Sequence, residues 1–581
     1  MGEGGAFLKQ ARHAVDFCVV GGGLAGLCAA LAAARRGART VLMQDRPVLG
    51  GNASSEVRMH ICGAHGANMR ESGIVEEIRL ENNYCNPSGN FSIWDSVLFG
   101  KARYQPNLTL LLNCSAQALE MEGAHIRSVT GWQGTSQTMH TVEADLFADC
   151  SGDSILAPLS GAEVRIGREA ADEFGEDIQP VVADKKTMGL TCLIQFRETN
   201  RPQRFVPPSW AYRYETDEDL RGRDHDLRGS NFWWIEVGGE YDSIHDTETL
   251  RDELLKISFG VIDHIKNRGD HGAENWAVEW VGFLPGKRES RRYVGDHILT
   301  QNDVRAGGPF EDIAAYGGWS MDDHHPAGFY YPGAPTQFHW APSPYGIPYR
   351  SLYSRNVGNL FCAGRNISAT HAALSSTRVM STCAILGQAV GTAAAIAARA
   401  GTGPRGVHTQ HLQELQRMLM DDDCYLPGRC REIAPLCRAA SLAATEGDPA
   451  ALRNGVDRPV GDEDNGWTAA CGEQVTYTWD GSVSIKGVRF VFDSDLYANG
   501  LGMPHSYPLD MAELVPPETL VKAFRLEARE ENGQWRTIHE TVDNYQRLVR
   551  IPLAVQATAI RLTPLATWGA PLARIQAFEP F

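Results

Sequence analysis

The sequence predicts an α/β chain: a doubly wound parallel sheet, interrupted by a large α+β insertion and followed by a C-terminal β-sandwich. Three observations predict it. An apolar run, a glycine turn and an Ala/Leu-rich stretch stand together at residues 15–36. A second apolar run, turn and Ala-rich stretch appears after residue 356, beyond a long region rich in Trp, Tyr, Pro and charge. From about residue 466, short alternating runs between turns replace helical periodicity.

The first strand is VDFCVV (15–20). Residues 21–26, GGGLAG, form a turn, and residues 27–36 are good helix formers. Gly37 ends that helix and RTVLMQ (39–44) is a second strand, so the segment reads as βαβ. Gly21, Gly23 and Gly26 match G-x-G-x-x-G in the required context. The first glycine permits the tight turn, the second a close approach to a pyrophosphate, and the third close helix–strand packing. The helix start then offers free N–H groups and partial positive charge to phosphate. This is a Rossmann-like dinucleotide site. An acid normally follows about 20 residues on to bond the ribose. Gln44 occupies that place with Asp45 next to it, and Gln bonds a hydroxyl without charge assistance.

RPVLGGNASSEVR (46–58) places Gly50 and Gly51 before a predicted second helix start, with Asn52, Ser54 or Ser55 as its cap and Arg58 in position to neutralise phosphate. Residues 107–119 and 144–150 are further strands. The second ends in a Ser–Gly–Asp turn whose small residues, Gly152 among them, suit a close crossing of the nucleotide. Residues 1–160 thus form the first part of the nucleotide domain, 161–350 an inserted substrate domain, and 351–425 the return segment. In that return a strand ends at Gly364-Arg365, a loop carries His371, and a long helix is predicted from Ser375 or Ser376. Residues 426–465 read as a linker and 466–581 as the sandwich.

A net charge of -17 argues against nucleic acid or an anionic membrane as the main partner. The thirteen cysteines show no CxxC and no zinc spacing, which suits reduced thiols in a cytoplasmic protein. HICGAH (60–65) lacks an evident fourth ligand, so no metal is expected. No transmembrane segment or signal core is found.

The blocks at 46–58, 71–82, 149–170, 286–303, 347–353 and 359–397 resemble the FAD-dependent oxidoreductase family of glutathione-reductase-like flavoproteins. The resemblance implies FAD as the dinucleotide. It places Gly21, Gly23, Gly26, Gln44 or Asp45, Arg46, Gly51, Asn52, Arg58, the backbone near Ala116, Gly364, Arg365 and the backbone of Arg378, Val379 and Met380 at the cofactor. A second G-x-G-x-x-G between strand and helix is missing from the sequence, so a separate electron acceptor or donor is expected. The C-terminal runs 487–496 and 557–581 resemble discoidin-like, galactose-binding-like domains, which suits a sugar-related substrate and is equally compatible with a role in homo-oligomer formation.

His371, just before the predicted flavin-facing helix, is the first candidate base. His60 follows the second cofactor segment. Tyr349 and Arg350 close the insertion where a pocket between domains belongs. The expected reaction is oxidation of a C–OH or C–N bond of a small substrate by hydride transfer to flavin. Reduction of an activated double bond, as in fumarate-reductase-like members, is the alternative enzyme. A carbohydrate-binding or scaffold protein with a vestigial FAD site is the alternative of another class.

Overall fold

The computed structural model describes residues 9–497 and 502–581. The chain gathers into two compact units. One contains Met1–Gly63, Gly89–Leu415 and Gly502–Glu513; the other contains Ala64–Ser88, Gln416–Leu501 and Leu514–Phe581.

The first unit is built on a sheet in the order β3-β2-β1-β6-β5-β4. Its strands are β1 (Lys9–Val20), β2 (Thr40–Met43), β3 (Leu108–Leu111), β4 (Cys114–Glu122), β5 (His125–Gln133) and β6 (Thr138–Asp149). β1 pairs in parallel with β2 and with β6, β2 pairs in parallel with β3, and Leu360–Cys362 adds in parallel to the end of β6. The last residues of β1 and all of β2 are buried, as strands covered on both faces must be. The run at 107–119 divides into two strands. Asn113 takes a left-handed φ of 52°, which asparagine tolerates, and beyond it β4 runs antiparallel to β5.

Helix α1 (Leu24–Arg35) crosses from β1 to β2 and packs against helix Met380–Ala400. The packing is close because glycines form it. A Cβ on Gly387 would lie 1.9 Å from Ala25 O, and one on Gly391 would lie 2.0 Å from Ala29 O. Met380–Ala400 is long and apolar enough to cross a membrane, yet 94% of its apolar window is buried inside the fold. The predicted single helix from Ser375 or Ser376 is two helices. His371–Thr377 ends first, and Val379, with extended ψ of 145°, caps Met380–Ala400.

Residues 161–350 mix helix with short antiparallel strands. Helix Thr247–Asn267 buries Leu254, Ile257 and Val261 in one core with Leu190, Ile194 and Phe196 from small antiparallel sheets and with Trp234 from a turn.

In the second unit, seven strands form an antiparallel sheet consistent with a β-sandwich. Val475–Phe492 and Leu548–Thr567 each carry register shifts along their length, and Phe490, Phe492, Phe524 and Phe578 stack in the core. Ser441–Ala444, in the stretch read as a linker, pairs with Val475–Phe492. The helix Ile74–Cys85 contributes Leu80 to the same core.

Candidate functional site

A cavity of about 380 Å³ opens in the first unit over the glycine turn. Gly21 has φ of 103°, and a Cβ on it would lie 2.5 Å from the carbonyl of Cys150. A Cβ on Gly26 would lie 1.8 Å from Gly21 O. Both glycines are therefore demanded by the protein itself. Gly23 differs: the nearest atom to its Cβ position is Gly51 Cα at 3.9 Å. Its open side belongs to the cavity, which is what a backbone shaped to touch a ligand requires. Gly23 caps α1 with no side-chain hydrogen bond and no acid in the first turn, so the positive end of that helix is uncompensated.

Gln44 is buried, and both ends of its amide are engaged. Oε1 accepts from Gly22 N at 2.7 Å and Nε2 donates to Val48 O at 3.2 Å. Gln44 fastens the turn, a task a neutral amide performs with both a donor and an acceptor. Gln44 and Asp45 both line the cavity, Asp45 with a side chain 61% exposed and next to Arg46. Gly50, Gly51, Asn52 and Ala116 also line it, and Asn52 Nδ2 donates to Lys287 O at 3.0 Å.

Two residues of the 46–58 segment lie elsewhere. Residues Gly51–Ala53 make only a single 3-10 turn, and the predicted helix does not form. Ser54 Oγ donates to Gly51 O within that turn. Arg58, at φ 58°, is held between the rings of Phe91 and Trp280 at 4.7 and 4.6 Å and donates to Gln195 Oε1 at 2.8 Å. It is not a cavity residue, and the sequence reading of it as a phosphate partner is revised.

Gly152, Gly364, Arg365, Arg378, Val379 and Met380 all line the cavity. Lysine and arginine gather there beyond what the sequence suggested. Asp153 accepts from Lys287 at 2.7 Å and from Arg365 at 2.8 Å. Burial opposes its charge, but Arg365 and Lys287 outweigh burial and hold the carboxyl below the usual range. Arg288 donates to Thr191 Oγ1 at 2.6 Å and faces Glu236 at 3.4 Å. Arg378 donates to Asp322 at 3.0 Å. The buried Nε atoms of Arg365 and Arg378 have no hydrogen-bond partner. The helix start at Gly23, a glycine open to the cavity and the free Nε of Arg365 are what an anionic dinucleotide fits.

His60 lines the same cavity. Burial, and then neighbouring His505, push its pKa down to about 3, so it is neutral at pH 7. The His60 and His505 rings lie 4.3 Å apart, and His505 Nδ1 donates to Gly229 O. His505 was not singled out from sequence, because Gly502–Glu513 joins the first unit from far along the chain. There Tyr507 exchanges backbone hydrogen bonds with Phe196 and Glu198 at the edge of Ile194–Glu198.

His371, Tyr349 and Arg350 do not line the cavity. His371 is buried, with Nδ1 2.9 Å from Glu289 and Nε2 3.1 Å from Asp323. Burial disfavours its charge, but the two carboxylates outweigh burial and raise the pKa to about 10. A histidine held protonated on both nitrogens is no base at neutral pH, which revises the first candidate. Tyr349 is fully buried and donates to Pro404 O at 2.9 Å. Arg350 pairs with Asp312 at 3.0 Å. Tyr349 and Arg350 support the end of the insertion.

A family model described as FAD dependent oxidoreductase matches residues 16–419. No curated protein matches the chain. Among solved structures, the chain is similar to the family 32 carbohydrate-binding module from Streptococcus pneumoniae EndoD, at 16% identity over 25% of this chain and 97% of that one, with a TM-score of 0.19. It is similar to the family 32 module from C. perfringens NanJ in complex with galactose at 10% identity, over 26% of this chain and 97% of that one, with a TM-score of 0.19.

Proposed function

From the premise that this chain belongs to the FAD dependent oxidoreductase family, we propose that it oxidises a C–OH or C–N bond of a small substrate that carries an anionic group. The cofactor is FAD. Bound FAD supplies a two-electron acceptor for a hydride. The observation that carries the reading is that Arg288, Arg378 and a neutral His60 line the same cavity as the glycine turn.

The backbone N–H groups of Gly23 and Leu24, with the positive end of α1, would hold the pyrophosphate. Asp45 and Arg46 serve the ribose end. Arg365, tied by Asp153 to Lys287, keeps the middle of the cavity positive. Arg288 and Arg378 hold the substrate's anionic group and orient its reacting carbon. His60, kept neutral by burial, would accept a hydrogen bond from the substrate's hydroxyl or neutral amine and orient it, while the hydroxyl or amine proton leaves to water. For that role Nε2 must present a lone pair, so Nδ1 must carry the hydrogen. Asn231 Nδ2 lies 3.3 Å from Nδ1 while Asn231 Oδ1 has no partner. Turning that amide over lets Oδ1 accept from Nδ1–H.

Replacing Arg378 with methionine is expected to leave FAD content unchanged and lower kcat/KM by about 10–100-fold, chiefly through KM, since a charged hydrogen bond contributes ~1.5–3 kcal/mol. Steady-state kinetics on flavin-loaded protein measure it, and an unchanged KM contradicts the assignment.

The arginines also favour a second reading, reduction of an activated double bond with Arg378 as proton donor. Anaerobic mixing separates the two. Bleaching of the oxidised flavin by hydroxy acids, amino acids or sugar acids supports oxidation. Failure of every such donor, with rapid reoxidation of the reduced protein by an enoate, overturns it.

A further inference from the structure

Away from the flavin cavity, the insertion brings three histidines and one aspartate together. Asp217 starts the short turn Asp217–Leu220, His225 follows in the next loop, His264 is in the last turn of helix Thr247–Asn267, and His271 lies just past that helix. One ligand atom from each lies within 4.8 Å of all the others. The three imidazole centroids are 4.8–5.2 Å apart.

From this cluster we propose a closed, four-coordinate site for a divalent transition-metal ion, Zn²⁺ by its ligand set, with His225, His264, His271 and Asp217 as ligands.

The hydrogen bonds carry the argument. His264 Nδ1 lies 3.1 Å from Tyr214 O, an acceptor, so Nδ1 holds the hydrogen and the neutral ring presents a lone pair at Nε2. That Nε2 is 2.9 Å from Asp217 Oδ1, another acceptor. Either a second proton on the ring or a metal ion must stand between Nε2 and Oδ1. A backbone carbonyl that fixes the far nitrogen is also the usual support for a metal-binding histidine. The Nε2 atoms of His225 and His271 are buried without a hydrogen-bond partner. A metal ion satisfies both of these nitrogens together with His264 and Asp217, whereas a single proton satisfies one pair. Three imidazoles and one carboxylate make a full tetrahedral set for Zn²⁺, with ligand bonds of about 2.0–2.2 Å, so side-chain closure of under about an ångström brings the four atoms to the ion. The cluster also lies at the C-terminal end of Thr247–Asn267, where unpaired carbonyls favour positive charge.

The ion is structural. Thr247, at the other end of that helix, lines the flavin cavity, and His264 is about 25 Å further along at 1.5 Å per residue. A site with four protein ligands also has no open position for substrate. It joins the loop at 217–225 to the end of the helix that forms the insertion's core.

The test is elemental analysis of the full chain purified without chelators, together with melting after chelator treatment and addition of Zn²⁺ alone. About one zinc per chain is expected, with a Tm rise of roughly 5 °C on adding Zn²⁺ back. The His271→Ala and His225→Asn variants should hold under about 0.2 zinc per chain and show no rise, while keeping their flavin absorbance. X-ray absorption at the zinc edge should show imidazole scattering from three ligands. Wild-type protein that holds no zinc and takes none up overturns the proposal, as does zinc content unchanged in both variants.

Discussion

Gly23→Ala should give a folded protein that has lost its flavin. The added Cβ has room within the protein, the nearest atom being Gly51 Cα at 3.9 Å. Folding and melting should therefore match wild type. The methyl group would occupy the side of the turn where the phosphates approach, breaking one or two charged hydrogen bonds of ~1.5–3 kcal/mol each, so FAD affinity should fall by about 100-fold or more. Gly26→Ala should behave differently. Its Cβ would meet Gly21 O at 1.8 Å. Helix α1 must shift, and overpacking of this kind costs about 1–3 kcal/mol or more, so stability falls along with flavin. Fluorescence titration with FAD and thermal melts on both variants measure the contrast. Equal loss of stability in both would remove the distinction between a glycine needed by the fold and one needed by the ligand.

His371→Gln should destabilise the first unit by about 3–5 kcal/mol, because it leaves the buried carboxylates of Glu289 and Asp323 without their shared cation. The pH dependence has a definite sign. The folded pKa is raised to about 10 from the ordinary histidine value of about 6.5. A raised histidine contributes in full below the unfolded value and loses that contribution as pH rises through the folded one. The stability gap between wild type and variant should thus be widest near pH 6 and shrink progressively toward pH 10. Melts across that range test it. A gap that stays constant would mean the imidazole is not held as a cation. A variant of normal stability that has lost only turnover would restore His371 as the base.

The glycine turn was legible because its constraints are local. Gly21 and Gly26 answer to backbone atoms in the turn and the adjoining strand, and β1, α1 and β2 follow each other within 40 residues. The placement of Gly50, Gly51, Asn52, Gly152, Gly364 and Arg365 around one cavity follows from how the strands end. Arg58 was misread because its partners, Phe91, Trp280 and Gln195, come from distant segments. His371 looked like a base in a loop, and only the fold reveals Glu289 and Asp323 on either side of its ring. Lys287 and Arg288 reach the cavity through the pairing of Gly286–Lys287 with Leu190–Thr191, a long-range contact with no local signal in the sequence. His505 and the Asp217, His225, His264, His271 cluster have no readable spacing, since chain segments far apart in sequence bring them together.

One cavity would hold FAD along the glycine turn and end at Arg288, Arg378 and His60. Crystallographic density of the protein grown with FAD tests it most directly. The pyrophosphate is expected against the backbone of Gly23 and Leu24, the ribose beside Asp45, and the flavin ring bordered by Arg378 and His60. Flavin density outside this cavity, or the ring at the Asp45 end, would contradict it.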